Sequence, residues 1–365
     1  MPAELQAELV QTIPATITFE LEPAHNLLYS LLLLTYVEQM PGLDDWVTRT
    51  HNALSPERRH NNRLVLEGLH FAVVPTRSYN SFEEYLNDLE ATDAVELRDR
   101  LLERLTTKTM RDLPRGVRAE PAFNTQKLLD KEAYIQWLSE KFQGDFDEAL
   151  EREAHDYLTD PPRMKTLIVY HLQTMWRDVL RAEWQRVRPM LEEAVNAFRA
   201  QEFSRLSAVE VAKRVARQEL KPYWEEMIQR ARHLILIPSA HLGPYFGKFS
   251  YEDTLWLLFG AHLSAGMRTE SSALTRSELV VRLSALNDDT RLRILELLSK
   301  REELCAQDVI TLLDVSQPAA SRHLKQLSAT GYVTERRREG NKCYALNRER
   351  LDETCELLNR FLGRK

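Results

Sequence analysis

Gln317, Ser321, Arg322 and Lys325 follow one another at short helical spacings, and every one can hydrogen-bond a base edge or a phosphate oxygen. None is acidic, and none is a nucleophile beside a base, so the chemistry they suit is recognition, not bond cleavage. Ala320, Leu324 and Leu327 lie between them at intervals of four and three, which makes an apolar stripe on the other side of the same helix. The start of that helix is sharply marked. Ser316 is an N-cap whose hydroxyl accepts from an orphan first-turn amide, and Pro318 sits where a missing N–H costs nothing. Residues 315–327 therefore read as a helix that seats one face in a core and turns the other towards duplex DNA.

No other set of residues makes a stronger chemical case. The chain has no GxSxG, HExxH, P-loop or GxGxxG pattern. Glu-x-x-His occurs at Glu22/His25, Glu57/His60 and Glu67/His70, the unit used by metal-bridged helix bundles. The last two are ten residues apart, about 80° out of register on a helix, and do not face one centre. The cysteines Cys305, Cys343 and Cys355 lack CxxC spacing, so neither a disulfide framework nor a zinc knuckle is expected. No catalytic residue, metal or cofactor is expected. Trp176, Trp184, Trp224 and Trp256, with Tyr170 and Tyr223, read first as helix-packing core and second as the lining of an apolar effector cavity.

The whole chain sets the frame for that helix. At 365 residues it has room for two or three domains, and its 11 glycines argue against folds that spend glycine in phosphate-binding turns. The net charge is −6, but it is unevenly spread. Residues 276–365 hold about 17 Lys/Arg against about 14 Asp/Glu, a basic tail on an acidic body. Residues 1–20 lack the apolar run of a leader, and the Leu27–Val37 run is too short to span a bilayer. A reducing cytoplasm is the expected setting, with no membrane partner.

The elements that must position the helix follow from periodicity. A strand is expected over 13–21, confined to a sheet edge by Pro14. Helices are expected over 25–39, 44–53, from Pro56 towards Val74, from the capping-box Ser81 onward, and over 92–106, 125–142 and 145–158. A break falls at Leu113–Gly116. A long stretch from Met164 to about Ala200 should be kinked or divided by Pro189, with further helix at 208–220 and 222–232. Residues 233–237 and 254–259 read as two strands of a small buried sheet. Residues 266–277 are polar and read as a linker.

From Glu278 the pattern is compact. A helix over 278–286, a second capped by Asp288, a short third over 308–313 and a turn at Asp314-Val315 lead into the helix at 316. Tyr332–Arg338 and Lys342–Leu346 flank a Gly-Asn turn as a hairpin whose arginines suit phosphate, and a helix over 349–361 closes the unit.

Leu283–Leu295, Ser316-Gln317, Ser321-Arg322-His323-Leu324-Lys325-Gln326-Leu327, Gly331-Tyr332-Val333 and the Arg/Gly hairpin together resemble the ArsR family of bacterial winged-helix repressors. The resemblance covers about the last 90 residues. The rest is similar to long-chain members with a large N-terminal domain. The resemblance implies a homodimer formed through the first and last helices of the module, with the recognition helix in the major groove. The implied DNA-binding set is Ser316, Gln317, Ala319, Ser321, Arg322, His323 and Lys325, with Arg336, Arg337, Arg338 and Lys342 on the backbone. One departure matters. Metal-sensing members place two thiols one residue apart after Glu-Leu, whereas Glu303-Leu304-Cys305 is followed here by Ala306-Gln307. The closing helix offers Asp352, Glu353 and Glu356 but no histidine. Cys305 is expected as a small buried residue.

The expected fold is therefore mainly α, with a helical domain over 1–265 that carries a few short strands and a winged helix-turn-helix domain over 278–365. The expected function is a DNA-binding transcriptional regulator, a repressor by resemblance, modulated by the N-terminal domain. It leaves room for a small-molecule effector. The alternatives are an enzyme or small-molecule-binding body carrying a regulatory DNA module, and a winged helix used for protein contact only.

Overall fold

The computed structural model describes residues 16–40, 42–111, 129–142, 146–216, 220, 222–261, 272–338 and 341–363. A four-stranded sheet runs through the first two thirds of the chain. Its strands are β1 (Thr16–Phe19), β2 (His233–Ser239), β3 (Phe246–Tyr251) and β4 (Thr254–Gly260), in the order β1-β2-β4-β3. β1, β2 and β4 are parallel, and β3 pairs antiparallel with β4. β1 lies at the edge, the position Pro14 implied, although residues 13–15 themselves lie outside the described residues.

The unbroken apolar runs of β2 and β4 reflect cover on both faces. Leu234 and Leu236, with Leu255, Leu257 and Phe259, enter one core. Ile235 and Ile237, with Trp256 and Leu258, enter the other. Strand period two divides the side chains cleanly. β3 is an addition to the expected pair: its Pro/Gly-bearing approach concealed a strand that reads Phe-Gly-Lys-Phe-Ser-Tyr.

The larger core is helical. α1 (Pro23–Leu33), α2 (Asp45–Ala53), α3 (Pro56–Arg63), α4 (His70–Val73), α5 (Phe82–Ala91) and α6 (Ala94–Arg111) come first. α7 (Lys131–Phe142), α8 (Glu148–Leu158), α9 (Pro161–Met175) and α10 (Arg181–Arg199) follow, then α11 (Ala208–Ala216) and α12 (Pro222–Arg230). The caps are those that the sequence marks. Asp44, Ser55 and Ser81 accept from the amides of Trp46, Arg58 and Glu84. α1 ends at Leu33, short of the expected 39, and turns carry the chain to Met40.

Pro189 neither divides nor ends its helix. It lies inside α10, and the interruption comes earlier, as a π turn at Trp176–Leu180. The tryptophans do not line one chamber. Trp256 stacks on His25 and Trp176 packs on Phe82, while Trp224 meets Phe246 and Tyr170 is exposed. The expected break at 113–116 lies outside the described residues.

The C-terminal unit has its own core, drawn from residues 285–351. Its elements are α13 (Ser272–Leu286), α14 (Asp289–Ser299), β5 (Leu304–Cys305), α15 (Ala306–Leu313), α16 (Gln317–Ala329), β6 (Val333–Arg338), β7 (Asn341–Leu346) and α17 (Arg348–Phe361). α13 starts inside the stretch read as linker, of which residues 266–271 lie outside the described residues. The three strands form a sheet in the order β5-β7-β6. Cys305 and Cys343 sit directly opposite in β5 and β7 and form a disulfide. That departs from the reading of Cys305 as a buried free thiol; the partner is 38 residues away in sequence, beyond any local spacing pattern.

Candidate nucleic-acid interface

α16 stands where helix-turn-helix geometry requires. Asp314 takes a left-handed backbone conformation (φ 53°) to end α15, and Ser316 then caps α16 by accepting from the Ala319 amide at 3.4 Å. Ala320, Leu324 and Leu327 enter the core of the unit. The module is braced from behind. The Tyr332 hydroxyl bonds Thr354 of α17 (3.0 Å) and donates to the Arg282 carbonyl of α13 (3.2 Å). Arg291 donates to the carbonyls of Ala285 (2.6 Å) and Ser284 (2.9 Å), closing the end of α13 against α14. A helix so held presents its outward residues at fixed angles.

Those outward residues divide into three groups. Ser316, Gln317, Ser321 and Arg322 are exposed, and Ala319 is half-buried. Among the described residues no carboxylate lies in ion-pair range of Arg322. His323 is turned inward. Its Nδ1 lies 3.5 Å from Asp288 Oδ1 without an aligned hydrogen bond, and burial holds the ring below the ordinary histidine range. Asp288 pulls the other way, while Arg291 and Arg322 add to the depression. A neutral, inward imidazole fits a packing residue better than a base contact. Lys325 points elsewhere again: its ammonium is 3.4 Å from the carbonyl of Gln39 and over the ring of Tyr245.

The wing cations are not bare. Glu303, just before β5, pairs with both Arg336 and Arg338, the second at 3.3 Å. The hydrogen bond from Arg336 is the main cause that holds the Glu303 carboxyl below its usual range. Lys342 lies 3.5 Å from Glu335. Arg337 occupies the β6 register opposite Lys342, its side chain outside the described set, as are residues 339 and 340 of the expected turn. Sequence reading passed over Glu303 because its partners are more than 30 residues away.

The Glu-x-x-His pairs are dispersed. Glu22 binds His25 at 3.0 Å inside the body, whereas His60 pairs with Glu153 and Glu67 with Arg63. Among the described residues no group of three His, Cys, Asp or Glu side chains converges as a metal site. Among them, too, no helix is long and apolar enough to cross a membrane.

Comparison with known proteins places this surface in a family. Residues 288–335 match the model described as "Bacterial regulatory protein, arsR family". The chain is 42% identical over 87 residues to the arsenical resistance operon repressor of Staphylococcus aureus, covering 24% of this chain and 82% of that protein. It is 50% identical over 52 residues to the arsenical resistance operon repressor of Escherichia coli K12, covering 14% of this chain and 44% of that one. It is 38% identical over 73 residues to a cadmium resistance transcriptional regulatory protein CadC homolog of Staphylococcus aureus, covering 20% and 60% of the two chains. The S. aureus repressor is matched over most of its length by the end of this chain alone, so the helical body is a large additional region. The chain belongs to the ArsR family of bacterial regulatory proteins, and it is a DNA-binding transcriptional regulator with a mainly helical body and a C-terminal winged helix.

Proposed function

We propose that this regulator is a homodimeric repressor that reads duplex DNA with the first half of α16 and modulates that binding through its body. The observation that carries the reading is the exposed, acid-free set of Gln317, Ser321 and Arg322 on a helix locked into the core by its opposite stripe. Arg322 is the strongest base-edge or phosphate contact, with Ser316, Gln317, Ala319 and Ser321 around it. Arg336, Arg337, Arg338 and Lys342 serve the backbone, His323 serves packing, and Lys325 is shared with the body. The repressor names of the relatives support the sign of regulation. We take residues 1–265 as body and 278–365 as the main part of the DNA module, joined by 266–277, whose second half is already helical as the start of α13, and the site of action as the cytoplasm. The body is read as a regulatory unit without catalysis.

A titration of labelled duplexes by fluorescence anisotropy tests this. Arg322→Ala should weaken binding to a selected duplex by about 1–3 kcal/mol and relax its sequence preference. Arg338→Ala should weaken all duplexes alike and flatten the salt slope. Absence of any salt-dependent duplex affinity in the wild-type chain overturns the reading.

A further inference from the structure

Arg322, Lys325, Gln326 and Ala329 are spaced i, i+3, i+4 and i+7, so they form one continuous stripe along α16. Arg322 and Lys325 are exposed, although Lys325 already reaches towards the body, and the stripe passes under the body from Gln326 onward. Gln326 is only 1% exposed. Ala329 packs against the larger core of the body. Lys325 reaches the Gln39 carbonyl and the Tyr245 ring, and a Cβ on Gly42 would come within 3.0 Å of Gln326 Nε2. Gly243, Pro244 and Tyr245 share a narrow cleft with Ala329, Thr330 and Arg350.

The surface that covers the stripe is a built platform. It consists of the turn residues 42–44 and 241–245, in such close approach that a Cβ on Gly243 would lie 2.1 Å from the Gly42 carbonyl oxygen. Both glycines have positive φ, at 90° and 58°. The Asp44 amide donates to the His241 carbonyl at 3.3 Å. His241 is itself anchored below, 2.8 Å from Ser30 of α1 and 2.8 Å from Glu183 of α10, and stacked on Trp46 of α2. Three body helices thus fix the loops that meet α16.

A major groove about 12 Å wide admits one helix and no second layer of protein on its outward face. We propose that the turns around Gly42 and Gly243 are an autoinhibitory latch that competes with duplex DNA for the recognition helix. The arrangement described here is the latched, DNA-free state, and binding requires the body to swing off α16. The inference rests on the reading of α16 as the DNA-binding helix.

The test uses the full chain and a duplex selected from a random-sequence pool by the Tyr245→Ala protein. Tyr245→Ala and Gly243→Asp, both on the body side, should bind that duplex at least about tenfold more tightly than wild type, within the usual range of coupling between sites. In wild type, saturating duplex should speed amide exchange at 42–44 and 241–245 while slowing it at 317–322. Equal affinities, with those loops as protected in the complex as before, overturn the latch and leave DNA binding standing. If no chain binds any duplex at any salt, the DNA-binding reading fails and the latch with it. Should the variants not fold, the exchange measurement on wild type decides alone.

Discussion

Glu303 shows how one carboxylate sets the character of a cationic surface. It takes up Arg336 and Arg338, two of the charges read as backbone contacts, so the wing of the free protein is less positive than its sequence. Glu303→Gln should release both arginines, raise duplex affinity severalfold at low salt and steepen the dependence of log K on log salt; an unchanged slope would remove these arginines from the interface. A second carboxyl matters to stability. Glu151 accepts from the Tyr134 hydroxyl at 2.8 Å, but burial, reinforced by Glu67 and Asp147, pushes its pKa up to about 7. Between its unfolded value of about 4.5 and about 7 the folded state therefore holds the extra proton, and stability falls as pH rises through that window. Glu151→Gln should stabilise the body by on the order of 1–2 kcal/mol at pH 8, after allowance for solvent screening, and by little at pH 5. Thermal melts at the two pH values check the sign.

Among elements, the small sheet at the base of the wing depends on a cross-link. The Cys305–Cys343 disulfide joins β5, which leads into α15, to β7 of the wing, closing a loop of 38 residues. Loop-closure entropy sets an upper bound of roughly 4 kcal/mol on what such a bond contributes, with about 2–4 typical. A reductant should lower the calorimetric midpoint of the C-terminal unit while leaving the body transition in place. Equal midpoints would mean that the β5–β7 pairing holds without the bond. The helices needed no such long-range help to be found. Asp288, Ser316 and Pro318 mark their starts by contacts within four residues, and all three marks were readable in order along the chain.

For the whole molecule, the exposed apolar side chains of the outer module helices set an expectation about assembly. Val280 and Leu283 on α13, and Phe361 at the end of α17, face solvent in the single chain. The proposed dimer would cover them, and sedimentation should then give about twice the 42.6 kDa of one chain. Leu283→Glu with Phe361→Asp should shift the mass to that of the monomer and weaken DNA binding through the loss of the second half-site. A wild-type monomer at all concentrations would count against the dimer.

What the sequence determined by itself is local. Stripe, cap and turn residues act over one or two helical turns, so the module and the outward set at 317–322 were legible before any coordinates. The same holds for the alternating faces of β2 and β4 once they are known to be strands. What tertiary structure decided is which outward residues are free. Gln39 meets Lys325 across 286 residues, Glu303 meets Arg336 across 33, and Cys305 meets Cys343 across 38. No periodicity encodes such pairs, because they arise from the packing of elements whose positions depend on the whole core. α16 is identifiable from 13 residues, whereas the covering of its second half depends on turns that follow α1 and β2, far away in the chain.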